Sequence, residues 1–365
     1  MPASLDGLAR LPYDVFVIDP VIHALNLDRA NIASRYGEQL WEMSYGLHCL
    51  LTLPDRHVPQ AVYMADMAPD VLVRTMFEET QTSLAATHTL TLDSWFKDGF
   101  AAEWKTVAMA REYPTRVLAY VGVDPCAGLG AAMESIERQV ADLPGAIGLK
   151  MYPHQMNPYR RWYANDDVVM RLIARAAELG LRTVAIHKAL PNGSVPLDSY
   201  RIAEDFEQAA DAFPAMTFEI IHAGMAFIEE TAMAVGRFPN VYANLETTTA
   251  MLWQAPGRFA KALATLMQWG GPGKIIWSTG CTVTHPQHLL ELFWAMRFDE
   301  RTMADFGVPQ LDEGIKRAIL GGNYARAVRL DVDDWRARQA GDAFAGRGEL
   351  AAPWSVWTAE ARVFA

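Results

Sequence analysis

The sequence is poor in cysteine, has no basic cluster and has no long apolar run. Its three cysteines, Cys49, Cys126 and Cys281, stand far apart. That spacing makes neither a disulfide framework nor a zinc ribbon, so a reducing cytoplasm is the expected setting. Acidic residues outnumber basic ones, 43 to 32, giving a formal charge of −11. Without a lysine and arginine patch, nucleic acid is not an expected partner. No apolar stretch approaches the roughly 20 residues that span a bilayer. The opening Met-Pro-Ala-Ser-Leu-Asp lacks a basic segment followed by an apolar core. Neither a membrane span nor a secretory signal is therefore expected. Gly-x-Ser-x-Gly, the phosphate-binding glycine loop and His-Glu-x-x-His are also missing, which removes serine-nucleophile, nucleotide and zincin readings.

What is present is alternation. Short β-branched runs recur with helical segments and turn residues between them. The runs are Val15-Phe16-Val17-Ile18-Asp19, Leu84-Ala85-Ala86-Thr87-His88, Arg116 to Val123 and Ala146 to Tyr152. They continue with Thr183 to His187, Phe218 to His222, Val241 to Glu246 and Lys274 to Ser278. Eight repeats favour a closed α/β barrel of the (β/α)8 TIM type over an open sheet. Residues 24–75 read as a long, irregular, polar-aromatic lid inserted after the first strand. The barrel with its lid is expected to span 1–332. An aromatic extension, 333–365, carries Trp335, Trp354 and Trp357 and is expected to pack on the barrel or on a second subunit.

Two runs end in histidine, His187 and His222. Successive parallel strands point the same way, so both rings face the end where such barrels carry their chemistry. A neutral imidazole there is a ligand for Zn, Mn or Fe. One such histidine alone is more often a bonded core residue, but two at equivalent strand ends make that reading a coincidence. His23 is a third candidate ligand, and equally a loop histidine against the lid. Asp19 is a ligand, a turn cap or, in the preferred reading, a carboxylate that orients His23. Glu246 needs a partner when buried, either a metal or a salt bridge to Lys150 or an arginine. Lys150 is a substrate-carboxylate anchor, or a stem lining the barrel with its ammonium at the mouth. His88, His154, Arg160 and Trp253 are candidate substrate contacts. His285 and His288, around Pro286, read as capping or solvent-facing.

Further runs carry a family resemblance. They are Tyr113-Pro114-Thr115-Arg116, Val123-Asp124-Pro125, Gly148-Leu149-Lys150, Glu178-Leu179-Gly180-Leu181, His222-Ala223-Gly224, Phe238-Pro239-Asn240-Val241-Tyr242 and Leu320-Gly321-Gly322-Asn323-Tyr324-Ala325-Arg326. In this order, over roughly residues 14–332, the chain resembles the amidohydrolase-related family typified by aminocarboxymuconate semialdehyde decarboxylase. The resemblance implies a barrel with a divalent metal at its C-terminal face that performs hydrolysis or non-oxidative decarboxylation. It also implies His23 and His187 as ligands, and His222 as a ligand or a donor to metal-bound water. In binuclear relatives a lysine at the position of Lys150 can be carboxylated. Two positions depart from the family. Val21 stands where a first-strand ligand is usual, and Gly280 stands where the eighth strand usually supplies an aspartate. Glu246 is then the candidate for the missing carboxylate.

The expected function is hydrolysis or decarboxylation of a small carboxylate-bearing molecule through metal-activated water, with His222 and Lys150 as catalytic groups. Zinc is the expected ion, with iron or manganese as alternatives. A rearranged His and carboxylate set also suits an iron- or manganese-dependent, O2-activating hydroxylase. A third reading is a degenerate metal-binding subunit. The expected partner beyond substrate is a second copy of the chain or a related subunit.

Overall fold

The computed structural model describes residues 8–363 apart from Pro144 and Arg347, so the outer ends of both expected segments lie outside the described residues. Eight strands run in chain order. They are β1 (Val17–Ile22), β2 (Thr82–His88), β3 (Val117–Gly122), β4 (Gly148–Met151), β5 (Thr183–His187), β6 (Thr217–Ile221), β7 (Val241–Asn244) and β8 (Ile275–Ile276). Each pairs in parallel with its sequence neighbour. The segment after β8 returns to β1. Ile22 bridges Cys281 in parallel, His23 N–H donates to the Cys281 carbonyl at 2.7 Å, and Gly280 N–H donates to the Val21 carbonyl at 3.2 Å. These bonds satisfy the edges that an open sheet would leave bare.

Alternation along each strand sorts the side chains. Leu149, Met151, Val184, Ile186, Phe218 and Ile220 pack outward in the main core with the helices. Ala185, Ile221, Tyr120 and Tyr242 belong to a separate cluster inside the barrel. Registers pair Lys150 with Ala185 and Ala185 with Glu219, which places Lys150 and Glu219 on the inner face as well. The interior is filled rather than hollow. A Cβ at Gly148 would come within 2.6 Å of Tyr120 Cδ1, so glycine is what lets that ring lie across the barrel. The Glu219 carboxylate beneath it accepts from Tyr120 Oη at 2.6 Å, Thr183 Oγ1 at 2.8 Å and Asn244 Nδ2 at 2.8 Å. The motif ending in Arg326 closes the floor, where Asn323 Nδ2 donates to the carbonyls of Pro272 and Ile275 at 2.8 and 2.7 Å.

Residues 24–75 are not the irregular lid expected from the sequence. They contain a 17-residue helix, Arg35–Leu51, a short one, Gln60–Tyr63, and the start of a third, Pro69–Glu78. Aromatic residues within Arg35–Leu51 mask its pattern, but Ser44, His48 and Leu51 are buried at helical spacing. The tail helix, Ser355–Val363, packs against Pro69–Glu78, and Trp354 and Trp357 join the core cluster of Tyr63, Val71 and Leu72. One buried carboxylate fastens this junction. Glu79 accepts from Trp354 N–H at 2.6 Å, Val356 N–H at 2.7 Å, Ser355 Oγ at 3.2 Å and His285 Nε2 at 3.0 Å. His285 and His288 are therefore buried rather than solvent-facing. His285 also caps the helix Pro286–Ala295, with Nδ1 accepting from Gln287 N–H at 3.3 Å.

Candidate active site

The strand ends after β5 to β8 share an unusual backbone. Ala189, His222, Thr247 and Gly280 have φ values of 57°, 64°, 59° and 70°. Only glycine adopts this region freely, and strain of this kind gathers where a fold must aim side chains at a site. His187 and His222 are brought together as the sequence suggests. His187 Nδ1 and His222 Nε2 face each other across 3.0 Å. Each ring is held from behind. His187 Nε2 donates to the Leu190 carbonyl at 2.8 Å, and Tyr152 stacks on that ring at 4.6 Å. His222 Nδ1 lies against the Glu246 carboxylate and 3.3 Å from the Glu246 carbonyl. Burial, with His222 and Lys150 nearby, holds the His187 pKa well below its ordinary value, so this ring is neutral.

These outer partners settle which nitrogens carry protons. Leu190 takes the Nε2–H of His187, and Glu246 takes the Nδ1–H of His222. The two inner nitrogens then both present lone pairs to each other. Something positive must lie between them, either a proton or a metal ion. This is the arrangement in which a carbonyl and a carboxylate fix the tautomers of metal-ligating histidines. His23 opens onto the same cavity, and its buried Nδ1 has no hydrogen-bond partner. Burial lowers the pKa of this ring to about 3, so it too is a neutral donor. Among the described residues, no three His, Cys, Asp or Glu side chains surround one point closely enough to hold an ion. The donors that would hold a cation here are the two inner imidazole nitrogens, with the unpartnered His23 Nδ1 on the same cavity.

Glu246 does a different job from the one expected. It orients His222 rather than facing the inner nitrogens. Burial would raise its pKa, but the His222 and His23 rings outweigh that and hold it at about 2. Its Oε1 accepts from Thr247 Oγ1 at 2.8 Å. It also fills the space that a side chain on residue 280 would need. A Cβ at Gly280 would fall inside the Glu246 carboxylate, 2.9 Å from its Cδ. The carboxylate absent from the strand-eight position is therefore replaced in space by one from the end of β7.

The cavity above these groups has a volume of about 80 Å³. His23, Lys150, His187, His222 and Glu246 line its polar side, and Leu25, Leu40, Leu47, Leu90, Phe100 and Val283 line its apolar side. Lys150 is 2% exposed, and no acceptor stands within hydrogen-bond reach of its ammonium among the described residues. Burial lowers its pKa to about 8, against the opposing pull of Glu246 and Glu219.

The other expected site residues lie elsewhere. Asp19 accepts from Ser278 Oγ at 2.7 Å and from the Thr279 N–H and hydroxyl, so it ties β1 to the end of β8 and neither ligates nor orients His23. His88 donates to the Pro20 carbonyl at 2.7 Å and stacks on Tyr120 inside the barrel. His154 Nε2 lies 2.9 Å from Tyr200 Oη, outside the cavity. Arg160 is exposed on a two-strand ribbon. Trp253 donates to the Leu51 carbonyl at 2.8 Å and lines a different groove. The segment 24–75 walls the cavity, as expected, but through the helix Arg35–Leu51, whose Leu40, Ser44 and Leu47 were not singled out although their spacing carries the signal. The buried pair of Lys188 and Asp205, which fixes the loop behind His187, was missed.

Comparison with known proteins agrees with this architecture. No curated protein matches the sequence. Among solved structures, an uncharacterised TIM-barrel protein from Bordetella bronchiseptica is similar at TM-score 0.59 and 15% identity, covering 86% of this chain and 98% of that one. A zinc-bound amidohydrolase from Burkholderia multivorans is similar at TM-score 0.53 and 15% identity, covering 87% and 100%. A 5-carboxyvanillate decarboxylase from Novosphingobium aromaticivorans, complexed with manganese and a nitrobenzoic acid, gives TM-score 0.53 and 14% identity, covering 90% and 100%. At such identities these likenesses speak for the fold. The family model described as amidohydrolase matches residues 48–330, well over half of the sequence. This chain belongs to the amidohydrolase family.

Proposed function

We propose that this protein is a metal-dependent enzyme that hydrolyses or decarboxylates a small carboxylate-bearing molecule in the cavity at the ends of β4 to β8. The observation that carries the reading is the pair of lone-pair nitrogens, His187 Nδ1 and His222 Nε2, aimed at each other across 3.0 Å. Family membership and the zinc- and manganese-bound structural relatives support a divalent ion there. Zinc is the ion proposed first, because it accepts imidazole ligands without imposing a geometry and tolerates open positions.

When bound, the ion supplies a Lewis acid beside the substrate. The chain's own residues do the rest. Leu190 and Glu246 keep the inner nitrogens unprotonated. Tyr152 holds the His187 ring in plane. The apolar wall keeps water out, which strengthens each charge interaction inside. Glu246 retains the Nδ1 proton of His222, and Lys150 is the group at the cavity wall that carries a proton to the reaction.

Elemental analysis of the purified protein tests this reading. The expected result is about one divalent ion per chain, with loss of thermal stability on chelation and recovery on adding zinc. Protein that is metal-free as purified, and indifferent to both chelator and zinc, would leave a proton between the two histidines and overturn the reading.

A further inference from the structure

Every other buried cation among the described residues has an acceptor. Lys188 pairs with Asp205, Lys105 with Asp66, Arg116 with Asp342, and Lys316 donates to the Trp294 carbonyl. Lys150 alone has none. A buried ammonium without a partner is costly, and proteins keep one where something else completes it. The nearest carboxylates are committed elsewhere. Glu246 is engaged by His222 and Thr247, and Glu219 by Tyr120, Thr183 and Asn244. Lys150 also lines the cavity that leucine, phenylalanine and valine side chains line.

We infer that Lys150 is the anchor for the carboxylate of the substrate, a small monoanion with an apolar body. This rests on the proposed enzymatic reading of the cavity and adds the ligand's chemistry to it. The carboxylate completes the lysine, and the apolar body lies against Leu40, Leu47 and Phe100. Among the described residues the cavity offers one cation without an acceptor, so a second carboxylate on the ligand would meet Glu246. A dianion is therefore disfavoured, and a neutral amide of the same shape leaves Lys150 unsatisfied. The Lys150 ammonium stands 5.3 Å from the Tyr152 ring, which itself stacks on His187, and Lys150 shares the cavity with His187 and His222, so a carboxylate anchored on it sits in the same cavity as the two histidines.

The test uses benzoate and isobutyrate, with benzamide and isobutyramide as matched neutral probes, on metal-loaded and chelator-treated protein. Binding is read by calorimetry and by the shift in melting temperature. Both acids are expected to bind and the amides not to. Lys150→Met is expected to fold, since it removes an unpaired buried charge, and to weaken the acids roughly tenfold or more, the loss of a charge-assisted bond. Lys150→Arg, longer and forked, is the check that charge alone is not enough. Acid binding that survives chelation and is lost in Lys150→Met supports the anchor even if the metal reading fails. Acid binding that needs the metal and persists in Lys150→Met overturns the anchor and leaves the metal reading standing. Equal binding of acids and amides overturns it as well.

Discussion

At the scale of single residues, Glu246 and Gly280 form an interlock. Gly280→Ala puts a methyl group into the Glu246 carboxylate and forces a Cβ onto a backbone at φ 70°. We expect a loss of about 3 kcal/mol, measured by urea unfolding. Combining it with Glu246→Ala should return at least about 1 kcal/mol, and strictly additive losses would show that the two do not touch. Asp19 predicts a pH effect. Burial raises its pKa from 3.8 to about 6, although the hydroxyls of Thr279 and Ser278 oppose that shift. The folded pKa lies above the unfolded one, so the neutral carboxyl's contribution is whole below about pH 4 and is lost as pH rises through about 6, a change of roughly 3 kcal/mol. Asp19→Asn does not titrate. Its stability relative to the parent should therefore rise between pH 4 and 6 and stay level above that, and a flat difference throughout would contradict the assignment. The sequence pointed to His187, His222, Glu246 and Lys150 because each ends or lines a strand. It misjudged His88, His154 and Trp253 because position after a strand does not say which way a ring turns. Their hydrogen bonds to Pro20, Tyr200 and Leu51 do.

At the scale of elements, the strands were legible and the cap was not. The β-branched runs matched the strands to within a few residues, since burial on both faces selects such runs in a parallel barrel. The helix Arg35–Leu51 hid behind Trp41, Tyr45 and His48, aromatic residues that pack beneath the tail and around Tyr63 rather than forming one leucine stripe. The tail is held by Glu79. Glu79→Ala leaves the Trp354 and Val356 N–H groups and His285 without their acceptor, and about 3 kcal/mol should be lost. The expected signature is early melting of the tail. Hydrogen exchange should quicken in residues 354–358 before the barrel strands respond, and unchanged protection there would refute the anchoring role.

At the scale of the whole molecule, floor and roof are built by different parts of the chain. Consecutive strands close the barrel and supply the polar side of the cavity. The roof comes from the helix Arg35–Leu51 and from the loop after β8, where Val283 lines the cavity and its carbonyl accepts from His48 Nδ1 at 2.8 Å. Two residues further on, His285 shares the Glu79 carboxylate with Trp354 and Val356. That shared carboxylate has a consequence for biosynthesis. Residues 354–356 leave the ribosome after every strand of the barrel, so a growing chain can hold its two convergent histidines before it has fastened the loop above them. The mouth of the cavity is therefore expected to close last. A chain released early should display a barrel that binds its ion but leaves its mouth open to water.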